Sequence, residues 1–218
     1  MRILVLGGTG AIGLLLIQEA LTASHIVVVY ARSPEKLPES ISLHQNVVIV
    51  KGELNDSEAL DSALEGVHAV ISALGPAVKA GPLHPSGTPI AKGYKLVIEL
   101  MHKHGIKRIV ALGTASNKDD HDKFDLTFRT LVGGVALFAH NAYKDVVEIG
   151  NTIRGDEELV WTLARVPILT SSDHREYHAG YIGDGRTKAY LPRLAYAAFV
   201  VEELEQNQWA RKAPMISN

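Results

Sequence analysis

Cysteine is absent from the 218-residue sequence, which excludes disulfide bonds, thiolate metal sites and cysteine nucleophiles. No apolar run reaches the roughly 20 residues that a membrane-spanning helix needs. The first β-rich run begins at Arg2, so we expect no signal or transit peptide. Neither sign of charge dominates, and a formal net charge of -2 gives no electrostatic reason to expect nucleic acid or an anionic membrane as a partner. We therefore expect a soluble cytoplasmic protein, monomeric or dimeric, whose partner is a small-molecule substrate.

Hydrophobic residues make up 46% of the chain, which is enough for a sizeable core. Short β-rich runs alternate with helical patterns. The predicted strands are 2–6, 25–31, 47–52, 69–74, 108–113 and 159–169. The predicted helices are 11–23, 57–66, one that ends near Gly105, 140–153 and 192–206. This order predicts an α/β fold, a Rossmann-type doubly wound parallel sheet, with its ligand crevice at the carboxyl ends of the strands. We expect a single domain with a small C-terminal substrate lobe, contributed mainly by about 166–190.

Residues 5–13 read VLGGTGAIG and lie between the first predicted strand and the first predicted helix. Gly7 would allow a tight turn, Gly10 would let the backbone approach a pyrophosphate, and Gly13 would permit close packing of helix on strand. The amides at the helix N-terminus would bind the phosphates. The pattern predicts a dinucleotide site.

The end of the second strand indicates which dinucleotide is preferred. An acidic residue there would bind the ribose hydroxyls of NAD and repel a 2′-phosphate, but the sequence reads YARSPEKL. Arg32 can form charge-assisted hydrogen bonds to that phosphate, Ser33 can add a hydroxyl donor, and Lys36 follows nearby. We therefore expect NADP(H) to be preferred over NAD(H).

Several blocks, taken together and in order, resemble one family. They are ILVLGGTGAIG, ARSPEKL, GELND, ISALGP, HGIKRIVALGTAS, VWTLARVPIL and KAPMIS. The chain resembles the atypical short-chain dehydrogenases, and within them the NmrA-like branch that includes flavin and biliverdin reductases.

The resemblance implies roles for particular residues. The phosphate turn would contain Gly7, Thr9, Gly10, Ala11, Ile12 and Gly13. Arg32 and Ser33 would bind the 2′-phosphate, and Glu53 and Leu54 would lie near the adenine, where the family usually has Asp in place of Glu53. The nicotinamide half would be lined by Ala73, Leu74, Gly75, Thr114, Ala115, Ser116, Lys144, Val166 and Pro167.

The usual catalytic pair of short-chain dehydrogenases is a Tyr with a Lys four residues later, on one helix face. In AHNAYK the best match to the Lys is Lys144, and four residues before it stands His140. Tyr143 points roughly 100° away around the helix. The catalytic candidates are therefore Ser116, His140 and Lys144. His140 can donate a proton, since histidine has a pKa of about 6.5, or it can be a structural histidine. An acceptor such as a flavin or a bilin would need no protein acid.

The substrate side is expected to come from the loop after the fourth strand and from 170–187. His174, Tyr177, His178 and Tyr181 give the second stretch groups suited to a planar ligand, although a polar surface loop is an equal alternative. We expect no metal, because the two histidines four residues apart have no third ligand. The sequence GDG at 183–185 predicts a hairpin-like turn.

Three functions are compatible with these features. The first is an NADPH-dependent reductase of a conjugated planar small molecule such as a flavin, quinone, bilin or aromatic metabolite. The second is an isomerase, epimerase or cyclase that keeps the cofactor fold but performs no net redox step. The third is a non-enzymatic, redox-sensing regulator.

Overall fold

Seven parallel strands and one antiparallel edge strand form the main sheet in the computed structural model, which describes residues 1–76 and 78–218. The strand order is β3-β2-β1-β4-β5-β6-β10-β8. These strands are β1 Arg2–Leu6, β2 Ile26–Ala31, β3 Val47–Lys51, β4 Ala69–Ser72, β5 Arg108–Thr114, β6 Val160–Val166, β8 His178–Gly180 and β10 Met215–Ser217. A second, two-stranded sheet pairs β7 with β9, which are Ile168–Thr170 and Tyr190–Pro192. The order reverses between β1 and β4, the position at which doubly wound sheets bind their ligands.

Helices cover both faces of the main sheet. They are α1 Ala11–Thr22, α2 Glu39–Ser42, α3 Ser57–Ala63, α4 Pro89–Lys103, α5 Leu126–Phe138, α6 His140–Arg154 and α7 Arg193–Gln206. The core on one face is built from the sheet with α1 and α7, and the core on the other face from the sheet with α3, α4 and α6. The central strands are therefore buried on both sides, which explains why they read as continuous runs of Val, Ile and Leu.

The predicted α/β class and the doubly wound parallel sheet are confirmed. Pro167 divides the segment predicted as one strand, because β6 ends before it and β7 joins the small sheet after it. The predicted turn at 183–185 exists, with positive φ at Gly183 and Gly185. The hairpin prediction is wrong, because β8 pairs with β10 and β9 pairs with β7.

Within residues 1–76 and 78–218, no helix combines the length and the apolar character required to cross a membrane.

Candidate functional site

The glycine turn joins β1 to α1 in a geometry that suits a phosphate group. Gly7 has φ +79°, and the Gly10 amide donates to the Gly7 carbonyl oxygen at 3.1 Å. A Cβ on Gly13 would overlap that same carbonyl oxygen and would lie 2.6 Å from the Gly8 Cα, so glycine is required there by the protein itself. A Cβ on Gly10 would meet only the Gly7 oxygen, at an ordinary 3.5 Å. The bare backbone of Gly10 thus leaves space for a ligand on the outside of the turn.

The N-terminus of α1 presents unpaired backbone amides. Gly10 is its N-cap and supplies no side-chain hydrogen bond, and the first turn contains no acidic residue. Gly10 and Ala11 are exposed, and Thr9 and Ile12 are half-buried. A helix of this length with free N–H groups and no competing carboxylate attracts an anion. The residues present therefore fit the pyrophosphate of a dinucleotide.

Gly8 also shapes this turn, and the sequence analysis assigned it no role. A Cβ on Gly8 would lie 2.8 Å from a methyl group of Val29 and 3.1 Å from Ile17. The missing side chain lets the turn pack against β2 and α1 at once. The adjacent glycine pair in VLGGTG was the available signal.

The adenosine side is formed where β2 and β3 end. Arg32 is exposed and Ser33 is half-buried. Among the described residues, the Arg32 side chain forms no hydrogen bond or ion pair, so its guanidinium is free to bind an anion.

Tyr30 holds the loop after β3 in place. Its hydroxyl donates to the Glu53 carbonyl oxygen at 2.7 Å, and its ring occupies the space that a Cβ on Gly52 would need. Burial, helped by Asp56 and Glu53, raises the pKa of Tyr30 to about 12, so the hydroxyl stays a donor. The Glu53 side chain is exposed.

Leu54 packs against α4 and not into open space. A Cβ on Gly93 of α4 would lie 2.7 Å from the Leu54 Cβ. The half-buried Leu54 thus forms an apolar wall between the loop after β3 and α4.

A hydrogen bond between two buried hydroxyl groups holds the end of β4 in place. The Tyr94 hydroxyl donates to Ser72 Oγ at 2.6 Å, and the Leu74 amide donates to the same oxygen at 3.2 Å. Tyr94 is fully buried, which raises its pKa well above the ordinary value. These bonds hold the backbone of Ala73, Leu74 and Gly75, which are half-buried beside the crevice.

Asn117 connects the end of β5 to α6, and the sequence analysis did not identify it. Its Oδ1 accepts from the Thr114 amide at 3.0 Å, and its Nδ2 donates to the Val146 carbonyl oxygen at 2.8 Å. The Ser116 amide donates to Thr114 Oγ1 at 3.1 Å. Gly113 and Gly150 make room for the Asn117 amide, because a Cβ on either would crowd it. The Thr114–Ser116 turn is therefore positioned against α6.

His140 and Lys144 are one turn apart at the start of α6, and both are exposed. Ser116 is 7% exposed, so its side chain is largely covered. Tyr143 is half-buried. The i, i+4 relation expected for His140 and Lys144 is present in the helix.

Asp145, the residue after Lys144, is fully buried and binds the start of α4. Its carboxylate accepts from the amides of Ile90 and Ala91 at 3.1 and 2.9 Å, and from His84 Nε2 at 2.8 Å. Thr88, the N-cap of α4, makes no side-chain capping hydrogen bond within the described part of the chain. Asp145 thus caps α4 from another helix and fixes the loop after β4 through His84. The sequence offered no local signal for this contact.

Three of the four predicted substrate residues within 170–187 contact other side chains of the protein. The Tyr177 hydroxyl donates to Glu202 at 2.6 Å, and burial together with Glu202 raises its pKa. His178 lies 3.0 Å from Asp184, and Tyr181 stacks on the ring of His121 at 4.6 Å. Tyr181 follows Gly180, which pairs with Met215 and through it lies level with Arg165, near the carboxyl end of β6.

His174 is exposed and precedes β8. His178 lies in that strand, so the two histidines do not share a helix face. Val166 and Pro167 lie at the carboxyl end of β6, the first buried and the second half-buried.

Arg165 is fully buried near the end of β6 and holds the loop between β5 and α5. Its guanidinium donates to both Asp122 carboxylate oxygens, at 2.5 and 2.8 Å, and to the carbonyl oxygens of Asn117 and Ala213. Such a two-point pair fixes both position and orientation. An arginine within an otherwise apolar strand was the signal that the sequence analysis passed over.

A cavity of about 390 Å³ lies between α4 and α6, around Lys95, Glu148 and Asp156. It does not include the glycine turn or the ends of β4 and β5. We assign the candidate site to the crevice at the carboxyl edge, because the free amides and the free guanidinium lie there.

Comparisons with known proteins agree with this geometry. The model of a family of NAD(P)H-binding proteins matches residues 7–207. Isoeugenol synthase 1 of Clarkia breweri is 32% identical over 126 residues, which are 54% of this chain and 36% of that protein. The chain therefore spans little more than a third of the length of this curated relative.

Two solved structures resemble the whole chain. A short-chain dehydrogenase/reductase of Veillonella parvula has a TM-score of 0.83 at 16% identity, with 100% of this chain and 94% of that chain covered. A second structure of a V. parvula short-chain dehydrogenase/reductase is a complex with NADP. ChuY of Escherichia coli O157:H7, described as an anaerobillin reductase, has a TM-score of 0.72 at 16% identity, with 100% and 97% covered. At these identities the structures establish the fold alone.

Proposed function

Because the chain belongs to the family of NAD(P)H-binding proteins with the fold of the atypical short-chain dehydrogenases, we propose that it is an NADPH-dependent reductase of a conjugated, planar small molecule. The observation that carries this proposal is the combination of free amides at the N-terminus of α1 with an unpaired Arg32 at the end of β2. The first would hold the pyrophosphate, and the second would bind the 2′-phosphate that distinguishes NADPH from NADH.

When bound, the dinucleotide supplies a hydride to the acceptor. The chain would orient the nicotinamide through the backbone of Ala73–Gly75 and through the turn at Thr114, and Lys144 would bind the ribose hydroxyls. His140 or water would deliver the proton that completes the reduction. The protein contribution is therefore mainly positioning and electrostatics, as is usual for cofactor enzymes.

His140, four residues before Lys144, supports a particular class of hydride acceptor. If Lys144 corresponds to the family lysine, the exposed His140 stands at the position of the usual tyrosine acid. An extended conjugated system can accept a hydride and take its proton from solvent, so it requires no tyrosine. The description of ChuY as an anaerobillin reductase supports this class of acceptor.

The test is oxidation of NADPH, followed by its absorbance, with a flavin, a quinone and biliverdin as separate acceptors. We expect protein-dependent oxidation with at least one of them, and slower oxidation with NADH. Gly10→Glu is the matched variant, because its Cβ has room in the fold while its carboxylate would repel the pyrophosphate.

The variant should fold normally and lose the activity. Tight NADPH binding with no oxidation of any acceptor would contradict a reductase. It would favour an isomerase or a redox sensor that keeps the cofactor fold.

A further inference from the structure

Helix α5 is largely apolar, and eight of its 13 residues are exposed. Of its 13 residues, Phe128 is the one that is buried. Leu126, Leu137 and Phe138 are 68%, 75% and 73% exposed. A helix that is apolar on most sides is normally covered, and one of this length is too short to cross a membrane. Its surface therefore requires another explanation.

The exposed side chains form a stripe with a defined spacing. Leu126, Thr130, Gly133 and Leu137 are separated by four, three and four residues, so they share the face of α5 that points away from Phe128. The Thr130 hydroxyl donates to the Leu126 carbonyl oxygen of its own helix at 2.9 Å, so it is satisfied within α5. Among the residues that the structure describes, a Cβ on Gly133 or on Gly134 would meet no atom within 4 Å. The fold itself does not need glycine at either position, and the bare backbone would let another helix approach closely.

This stripe is complementary to itself when it is reversed. If two copies of α5 pack antiparallel about a two-fold axis, Leu126 of each copy faces Leu137 of the other, and Thr130 faces Gly133. Two large side chains therefore meet, and the branched Thr130 side chain meets the open backbone. A two-fold interface requires this kind of self-matching surface.

Exposure and charge also fit a second copy. Phe124, just before α5, is 73% exposed and adds a large apolar side chain to Leu126, Leu137 and Phe138, as the centre of an interface requires. Arg129 is the one charged residue in α5, and its guanidinium lies 5.9 Å from the centre of the Phe124 ring. We propose that the chain forms a two-fold dimer through antiparallel packing of α5 against α5, with Gly133 near the helix crossing.

The experiment is a mass measurement by light scattering after gel filtration, at several protein concentrations. The wild-type chain should show twice its 23.6 kDa mass. Leu137→Arg should weaken the dimer about 100-fold or more, because it places two cations in an apolar interface. Leu43→Arg, at a leucine that is 79% exposed next to α2, is the matched control and should remain dimeric.

A second variant distinguishes an effect on dimer formation from an effect on folding. Gly133→Leu adds a better helix former where the chain itself leaves space, so the separated chain should stay folded, with an unchanged circular dichroism spectrum. A wild-type mass of 23.6 kDa at all concentrations would overturn the proposal. So would a dimer that both α5 variants leave intact, since another surface would then form it. Loss of acceptor turnover without a change of mass would assign the stripe to substrate binding and would equally overturn the dimer.

Discussion

Arg32 is the residue that we propose distinguishes NADPH from NADH. It is exposed directly after β2. Arg32→Ala should weaken NADPH binding by about 1.5–3 kcal/mol, the range for hydrogen bonds to charged groups, and should leave NADH binding nearly unchanged. Calorimetric titration with each cofactor measures both values.

Lys107→Ala is a control for the loss of one positive charge, because Lys107 is exposed at the opposite end of the sheet, before β5. Equal losses for NADPH and NADH in the Arg32 variant would show that this side chain does not bind the 2′-phosphate.

Lys144 is the second residue with a prediction of its own. If it binds the nicotinamide ribose, Lys144→Ala should lower kcat/KM for NADPH oxidation by about 10- to 100-fold, because one charge-assisted hydrogen bond is lost. His140→Ala, one turn earlier, distinguishes proton delivery from ribose binding. It should reduce turnover only if His140 supplies the proton. Unchanged steady-state kinetics in the Lys144 variant would place this residue outside the site.

At the scale of elements, α4 and α6 are joined by the buried carboxylate of Asp145. Asp145→Asn replaces one acceptor oxygen by a donor, which would face the amide of Ile90 or Ala91, or the ring of His84. We expect a loss of about 1–3 kcal/mol in the free energy of unfolding, since a buried polar contact is broken. Urea denaturation measures the loss.

Glu148→Gln on the exposed side of the same helix should change the stability little, since surface ion pairs contribute about 0–1 kcal/mol. If the Asp145 variant were as stable as the wild type, water would be able to replace the carboxylate as the acceptor for the first amides of α4.

The sequence predicted those elements whose signals are local. The β1–α1 turn has its glycines within seven residues, and the central strands are apolar runs rich in Val, Ile and Leu. The three-residue strands β8, β9 and β10 were missed because so short a run shows no periodicity, and two residues of β7 were predicted as the end of a longer strand. Helix α5 was not among the predicted helices, because it lacks the polar face that marks a helix on a core.

The contacts that position the candidate site could not be predicted from the sequence, for a different reason. Asn117 bonds to Val146, 29 residues away, and Arg165 binds Asp122, 43 residues away. Neither side chain belongs to a motif with fixed spacing, so only the folded chain brings each to its partner.

At the scale of the whole molecule, several carboxylates stabilise the fold in a pH-dependent way. Burial alone would raise the pKa of Asp184, but hydrogen bonds from His178 and from the amides of Arg186 and Thr187 outweigh it and lower the pKa. The pKa values of Asp61, Asp119 and Asp156 are also lowered. Near pH 4 the folded chain therefore binds fewer protons than the unfolded chain, so stability is fully present above the unfolded pKa and is lost as the pH falls through the folded values.

We expect the melting temperature to fall as the pH is lowered from about 5 toward 2. Asp184→Asn should show a smaller fall in melting temperature, since it removes one of the carboxylates whose pKa is lowered by folding. Asp173→Asn, at an exposed position, is the control and should behave as the wild type. Calorimetric scans across this pH range test it. A melting temperature that does not change between pH 5 and pH 3 would contradict this account.

The far edge of the sheet depends on three residues, Met215–Ser217, which lie between β6 and β8. β10 pairs with β6, which lies about fifty residues earlier in the chain, and β8 joins the sheet only through its pairing with β10. Since β8 and β10 are three-residue strands at one edge of the sheet, with few pairings to hold them, they should open together as one cooperative unit. In native-state amide exchange, their protons would therefore be replaced at a common rate, ahead of those in β1, β4 and β5.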